Sequence, residues 1–283
     1  MALEQLSSLR EYESVLSGAL IYPDWAFAPE FVAAIRAMFE YGFRLLSEVP
    51  STAGEGLSVR DARYREVYDA ASEWRVCPFC GVSPLDSPYP LMPRHPLDHY
   101  LALSNYPVFG ASLSNLVTMC ERCNSSFKGA KDVIRRDDGS FRLCVNPHSD
   151  FVARVSLLRS VLFAGADGVT PEWRVDLLPE VEEVETWDVV FRVKDRFRLN
   201  HLGPRFNDWL EDFAIWARGV SAPTSTQAEL STALAQYADT LPSHRDLGFL
   251  REPAFRFLSL KASHPGYEGE ALLRVVCAVI AEV

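Results

Sequence analysis

Apolar positions recur at helical spacing early in the chain. Phe31, Val32, Ile35, Met38, Phe39, Leu45 and Leu46 predict an amphipathic helix, with Pro29 suited to its first turn and Gly42 weakening the same face. The segment 50–57 is a loop. Ser58 followed by Asp61 resembles a capping box that opens a helix toward Trp74. Residues 75–136 are turn-rich. Asp137-Asp138-Gly139 reads as a tight turn between short strands, and 150–178 favours strands and turns. From Val184 the helical period returns through Trp187, Val190, Phe191, Lys194 and Phe197, until Gly203-Pro204 breaks it. Phe206, Trp209, Leu210, Phe213 and Ala217 mark a further helix, and 224–240 and 268–281 are predicted helical too. The aromatic stripe from Trp187 to Trp216 is expected to pack a core. The expected class is α+β: a small zinc module embedded in a mostly helical protein. Its regions are a helical 1–74, a module at 75–136, and a mixed then mainly helical 137–283.

Composition narrows the class. The chain has 283 residues, 48% of them hydrophobic and 23% charged, which suits a substantial folded core and excludes wholesale disorder. No apolar run approaches the roughly 20 residues of a membrane span, the 275–281 stretch being far too short. The N-terminus has no basic start followed by an apolar stretch, so no secretory signal is expected, and the expected location is cytoplasmic.

The cysteines bring in chemistry. Cys77 and Cys80 form one C-x-x-C pair, and Cys120 and Cys123 form a second. In a cytosolic chain two such pairs predict four thiolates around one structural zinc ion, because each tight turn aims two sulfurs at one tetrahedral centre. Cys144 and Cys277 are expected to be buried thiols.

Between the pairs lies Leu97-Asp98-His99-Tyr100, then Ser114-Asn115-Leu116, and Asn124 directly follows the last cysteine. On a strand, adjacent Asp98 and His99 point to opposite faces. Asp98 and the carbonyl of Asn124 are oxygen donors of the kind Mg²⁺ accepts alongside water and phosphate. His99 titrates in the right range to take a proton from water. These parts compose a phosphodiester hydrolase.

The ordered pieces C-P-F-C-G, L-D-H-Y, S-N-L and M-C-E-R-C-N-x-x-x-K-G resemble the HNH endonuclease superfamily, with its ββα-metal fold. The Cys-x-x-Cys-Asn ending resembles the phage endonuclease VII branch, and the whole resembles stand-alone bacterial defence HNH proteins. The likeness spans about 60 residues. It departs at Ala102, where relatives often carry proline, and ends on Asn124 rather than histidine, which shifts the expected ion toward Mg²⁺ or Mn²⁺. The resemblance implies Asp98 and Asn124 as ligands of a catalytic Mg²⁺ or Mn²⁺. It implies His99 as general base, Asn115 as the residue that braces the loop and orients that base, and the four cysteines as the zinc set. His95 is expected to be a nearby surface residue, and His148 to serve packing or a turn.

The net charge is −10. Residues 75–136 hold seven basic residues against four acidic ones, a local +3 that leaves −13 elsewhere. Lys128, Lys131, Arg135 and Arg136 cluster after the second cysteine pair and are the expected phosphate contacts. DNA is expected as substrate ahead of RNA. The acidic set Glu180, Glu182, Glu183, Glu185 and Asp188 is expected to face solvent, and suggests a regulatory partner or self-assembly, as in an anti-phage defence effector. The rival expectation is a non-catalytic, zinc-dependent module that binds nucleic acid or protein.

Overall fold

Pro29 opens the first long helix, where its missing N–H costs nothing. The computed structural model describes residues 11–21, 29–52, 56–70, 75–88, 95, 97–165, 168–243, 246–264 and 266–283. The expected helix end near Trp74 lies outside them. The chain divides into two compact units, the first made of Met1–Val152 with Glu180–Arg192, the second of Ala153–Pro179 with Val193–Val283. Both helices and small antiparallel sheets are present, as an α+β class requires.

The first unit contains α1 (Tyr12–Leu16), α2 (Pro29–Leu45) and α3 (Val59–Ala70). Ser58 caps α3: its Oγ accepts from Asp61 N at 3.1 Å and donates to the Asp61 carboxylate at 2.7 Å. Strands β1 (Leu97–His99) and β2 (Leu116–Thr118) pair antiparallel, with Leu97 opposite Thr118, Asp98 opposite Val117 and His99 opposite Leu116. A helical segment of π type follows, α4 (Arg122–Lys128). Leu97 and Leu116 pack on Tyr64 of α3, with Phe43, Leu46 and Tyr68 around them. The turn at Asp137-Asp138-Gly139 is present, with Gly139 at φ +83°, but a single bridge between Arg135 and Phe141 stands where short strands were expected.

Residues 137–152 and 180–192 pack with this unit rather than with the C-terminal helices. Trp187 of α5 (Glu182–Phe191) donates its indole N–H to the Phe79 carbonyl at 3.0 Å, and the Phe191 ring packs tilted against that of Phe79, with centroids 4.8 Å apart. Thr186 donates to the Leu143 carbonyl at 2.6 Å. Phe79 lies inside the first cysteine pair, so α5 is anchored on it.

The second unit joins β3 (Arg154–Ser156) and β4 (Asp176–Leu178), an antiparallel pair, to α6 (Val193–Phe197), α7 (Phe206–Gly219), α8 (Gln227–Thr240), α9 (Gly248–Ser263) and α10 (Tyr267–Glu282). Phe213, Tyr237 and Phe255 from α7, α8 and α9 meet edge to face at its centre. Thr226 and Glu229 form a full capping box at the start of α8. Helix α9 has no counterpart among the sequence expectations, since Gly248 at its start and Pro253 inside it both argue against a helix. Burial of Leu250, Ala254, Phe255, Phe257, Leu258 and Ala262 overrides those local preferences. Cys144 is buried as expected. Cys277 is not: on α10 its neighbour Val276 takes the core position, and the exposed Cys277 donates its thiol to the Thr224 carbonyl at 3.6 Å. Among the described residues no helix is long and apolar enough to cross a membrane.

Candidate metal centre and adjoining polar site

The first cysteine pair sits in a loop closed by its own backbone. Cys77 N donates to Ser83 O at 2.7 Å, and both Cys80 N and Gly81 N donate back to Cys77 O, at 3.2 and 2.8 Å. Gly81 adopts φ +64°, which lets the chain reverse immediately after the second sulfur. The second pair lies at the junction of the loop after β2 with α4. Cys120 N points at Cys77 Sγ across 3.4 Å, and Cys80 Sγ is 4.0 Å from Cys120 Sγ. All four sulfurs lie within 4.8 Å of one another and all four residues are buried. With metal–sulfur bonds of about 2.3 Å, a tetrahedral site has sulfur–sulfur edges of about 3.8 Å, so this group suits a structural ion such as zinc with little movement.

The thiols already perturb one another. Hydrogen bonds from Cys120, Cys123 and Cys77 pull Cys80 far below the usual thiol range, and those from Cys123 and Cys77 bring Cys120 down to about 6. The same contacts, with Cys120 foremost, push Cys77 and Cys123 up. Buried thiols that share protons in this way are a donor set that a divalent cation neutralises.

Next to this centre stands the β1–β2 pair. Burial alternates along β1: Leu97 and His99 point inward and Asp98 stays partly open, so Asp98 and His99 face opposite sides. His99 packs against the Phe43 ring, with centroids 4.5 Å apart, and its Nε2 bonds the Gly110 carbonyl at 2.7 Å. A carbonyl only accepts, so Nε2 carries the proton and Nδ1 keeps its lone pair. Burial lowers the His99 pKa from its ordinary value, against smaller upward pulls from the Gly110 carbonyl and the Asp98 charge.

Asn115 is fully buried immediately before β2. Its Oδ1 accepts from Leu101 N at 2.7 Å, while Nδ2 donates to Leu101 O at 3.0 Å and Phe109 O at 3.3 Å. One side chain thereby closes the loop that joins β1 to β2 and carries Gly110.

Asn124 is held by its backbone at both ends: its N–H donates to Cys120 O at 2.9 Å and its carbonyl accepts from Gly129 N at 2.7 Å. The second bond spans five residues, the mark of a π turn, a rare form found frequently at functional sites. Gly129 has φ +49° and ψ −126°, a conformation that side-chain-bearing residues avoid, and it stops α4 directly after Lys128. Lys128, on roughly the same helical face as Asn124, places its ammonium 3.4 Å from Asp98 Oδ2.

The four basic residues expected to face phosphates are arranged differently from one another. Lys128 is 3% exposed and turned inward on Asp98. Lys131 donates to the Val190 carbonyl at the end of α5 at 3.2 Å. Arg135 is half-buried beside Tyr106. Arg136 is exposed and pairs with Glu182, one of the acidic residues expected to face open solvent. His95 bonds Asp86 at 2.9 Å, and His148 is exposed, with its Nδ1 3.2 Å from an Arg63 guanidinium nitrogen. The contribution of Gly110 has no signature in the sequence, because its working atom is a backbone carbonyl and no residue type signals that.

Comparisons with protein-family models, with curated proteins and with solved structures return no match to this chain.

Proposed function

We propose that the protein is a metal-dependent endonuclease of the HNH type that hydrolyses DNA phosphodiester bonds, with zinc as the structural ion of its four-cysteine centre. The observation that supports this reading most is the contact between Lys128 and Asp98, because it brings the helix that follows the second cysteine pair back onto the strand carrying Asp98-His99. Two short antiparallel strands followed by a helix, in that order, agree with a ββα-metal arrangement.

Asp98 and Asn124 are the residues that would hold Mg²⁺ or Mn²⁺. They fit the role chemically: both offer hard oxygen donors, and Asp98 already draws an ammonium group to its carboxylate. A divalent ion there supplies charge stabilisation to the scissile phosphate. His99 contributes the base. Donation of its Nε2 proton to Gly110 leaves Nδ1 to take a proton from water, and burial keeps the ring neutral and ready to accept it. Water attacks phosphorus as the bond to the 3′-oxygen breaks, leaving a 5′-phosphate, the outcome the HNH resemblance implies. Asn115 acts at one remove, by holding the loop that presents the Gly110 carbonyl.

Conversion of supercoiled plasmid to nicked or linear DNA, in Mg²⁺, Mn²⁺ or chelator, tests the reading. The expected result is cutting that chelator abolishes and that His99→Ala loses. A zinc-replete protein that cuts in neither metal, alone or with the product of a neighbouring gene, sinks it. The near-complete burial of His99, at 9% exposure, favours the second reading, a zinc-dependent binding module without catalysis. That module retains DNA or a protein ligand in a pull-down while leaving plasmid intact. Control by a partner or by self-assembly, as in a defence effector, belongs to the same proposal and is tested by restoring cutting with the product of a neighbouring gene.

A further inference from the structure

Lysine is among the residues least often buried, since its long stem normally carries the ammonium to water. Lys128 does the opposite. It is 3% exposed, whereas the Asp98 side chain it meets keeps 25% exposure. The backbone commits it to this position: Gly129, in a conformation reserved for glycine, ends α4 directly behind it, and the Lys128 carbonyl accepts from Lys131 N at 2.9 Å. A buried ammonium is costly unless paired, and the carboxylate it pairs with is the one carboxylate among the proposed catalytic ligands. The Lys128 charge also reaches His99, where it disfavours the protonated ring.

We propose that Lys128 is a displaceable counter-ion: its ammonium fills the cation position of Asp98 until a divalent ion and a phosphodiester enter together, and it then passes from the carboxylate to a phosphate oxygen. The inference rests on the nuclease reading above. A lysine and a divalent cation repel each other at one carboxylate, so Lys128 weakens binding of the ion alone. A phosphate brings the negative charge that gives the displaced ammonium a new partner. Lys128 thus couples ion binding to substrate binding, and the metal-free site is kept neutral rather than left as an unpaired carboxylate.

Titration calorimetry with MnCl₂ on the full-length, zinc-loaded protein tests this without DNA. Lys128→Gln is expected to bind Mn²⁺ at least about threefold more tightly than wild type, and Lys128→Arg to retain wild-type affinity, because the competing cation is removed in one and kept in the other. Unchanged or weaker Mn²⁺ binding by folded, zinc-replete Lys128→Gln overturns the proposal. A second measurement compares the ion's affinity with and without a short phosphorothioate duplex: the duplex is expected to tighten Mn²⁺ binding by a larger factor in wild type than in Lys128→Gln, because only wild type has an ammonium for the phosphate to receive. An equal gain in the two overturns the proposal as well. Asp98→Asn separates the two failures. If it binds Mn²⁺ like wild type, the ligand assignment of the nuclease reading is lost; if it loses Mn²⁺ while Lys128→Gln leaves affinity unchanged, the counter-ion alone is lost.

Discussion

His99 Nε2 donates to the Gly110 carbonyl across 2.7 Å, a bond between residues eleven apart that fixes which ring nitrogen stays free. Asn115 secures the far side of that bond by holding the carbonyl of Phe109, the residue next to Gly110. Gly110 itself has no room to grow: a Cβ there would lie 2.4 Å from Leu103 Cδ1 and 3.0 Å from Phe39 Cβ. Orientation of His99 therefore depends on a loop that Asn115 clamps from within and that is crowded at its glycine.

For the base, the proposed chemistry sets the sign of the pH dependence. Burial lowers the His99 pKa below its ordinary 6.5, and the neutral ring is the active form. The cleavage rate is expected to rise with pH along a limb lying below 6.5 and to be level by neutrality. The same shift makes folding less favourable in acid: this contribution to stability is present above 6.5 and is lost as pH falls through the lower folded value. Plasmid cutting and thermal melts across the acid range read the two effects separately. His99→Ala is expected to lower cutting at least about 100-fold with zinc content unchanged.

Asn115→Ala removes the clamp. Leu101 N, Leu101 O and Phe109 O are then deprived of a buried partner together, and the expected destabilisation is about 3 kcal/mol. Cutting by the fraction that remains folded is expected to fall as well, since Gly110 loses its fixed place. Denaturant titration measures the first effect and plasmid nicking under folded conditions the second. Wild-type stability would show that the three hydrogen bonds carry no net weight.

The four cysteines are expected to behave as one unit. Cys77→Ser, Cys80→Ser, Cys120→Ser or Cys123→Ser should each release zinc and destabilise the first unit, because the ion's binding free energy is also folding free energy. Asp98→Asn should leave zinc bound. Metal content by mass spectrometry alongside melting curves decides between them. A folded cysteine variant with full zinc would remove that residue from the set.

Among the basic residues, Lys131, Arg135 and Arg136 are the ones to neutralise for DNA binding, with Lys128 reserved for the site interior. Neutralising a side chain that touches a phosphate is expected to reduce the salt slope of binding by about 0.9. Arg136→Ala also breaks an exposed pair with Glu182, worth under about 1 kcal/mol. Fluorescence titrations over a salt series give the slopes. An unaltered slope in the triple variant puts the DNA path on another face.

Local signals were legible in the sequence wherever the physics is local. The two C-x-x-C spacings announced the sulfur cluster, the Ser58–Asp61 pair its helix start, and the alternation of Asp98 with His99 their opposite faces. Each depends on neighbours within a turn or on the strand period. Long-range closure decided the rest. Which carbonyl receives the His99 proton, and that Lys128 turns inward to a carboxylate thirty residues away, follow from how the loop and α4 fold back on β1. The same holds for 180–192, which reads as one more amphipathic stretch until Trp187 and Phe191 find Phe79 beside the cysteines. Helix α9 forms through Pro253 because its apolar residues gain more from the core than the proline costs. Residue type and spacing set what each segment is able to do, and only tertiary packing chose the partner, since backbone carbonyls and buried charges are satisfied by whatever the closed chain brings to them.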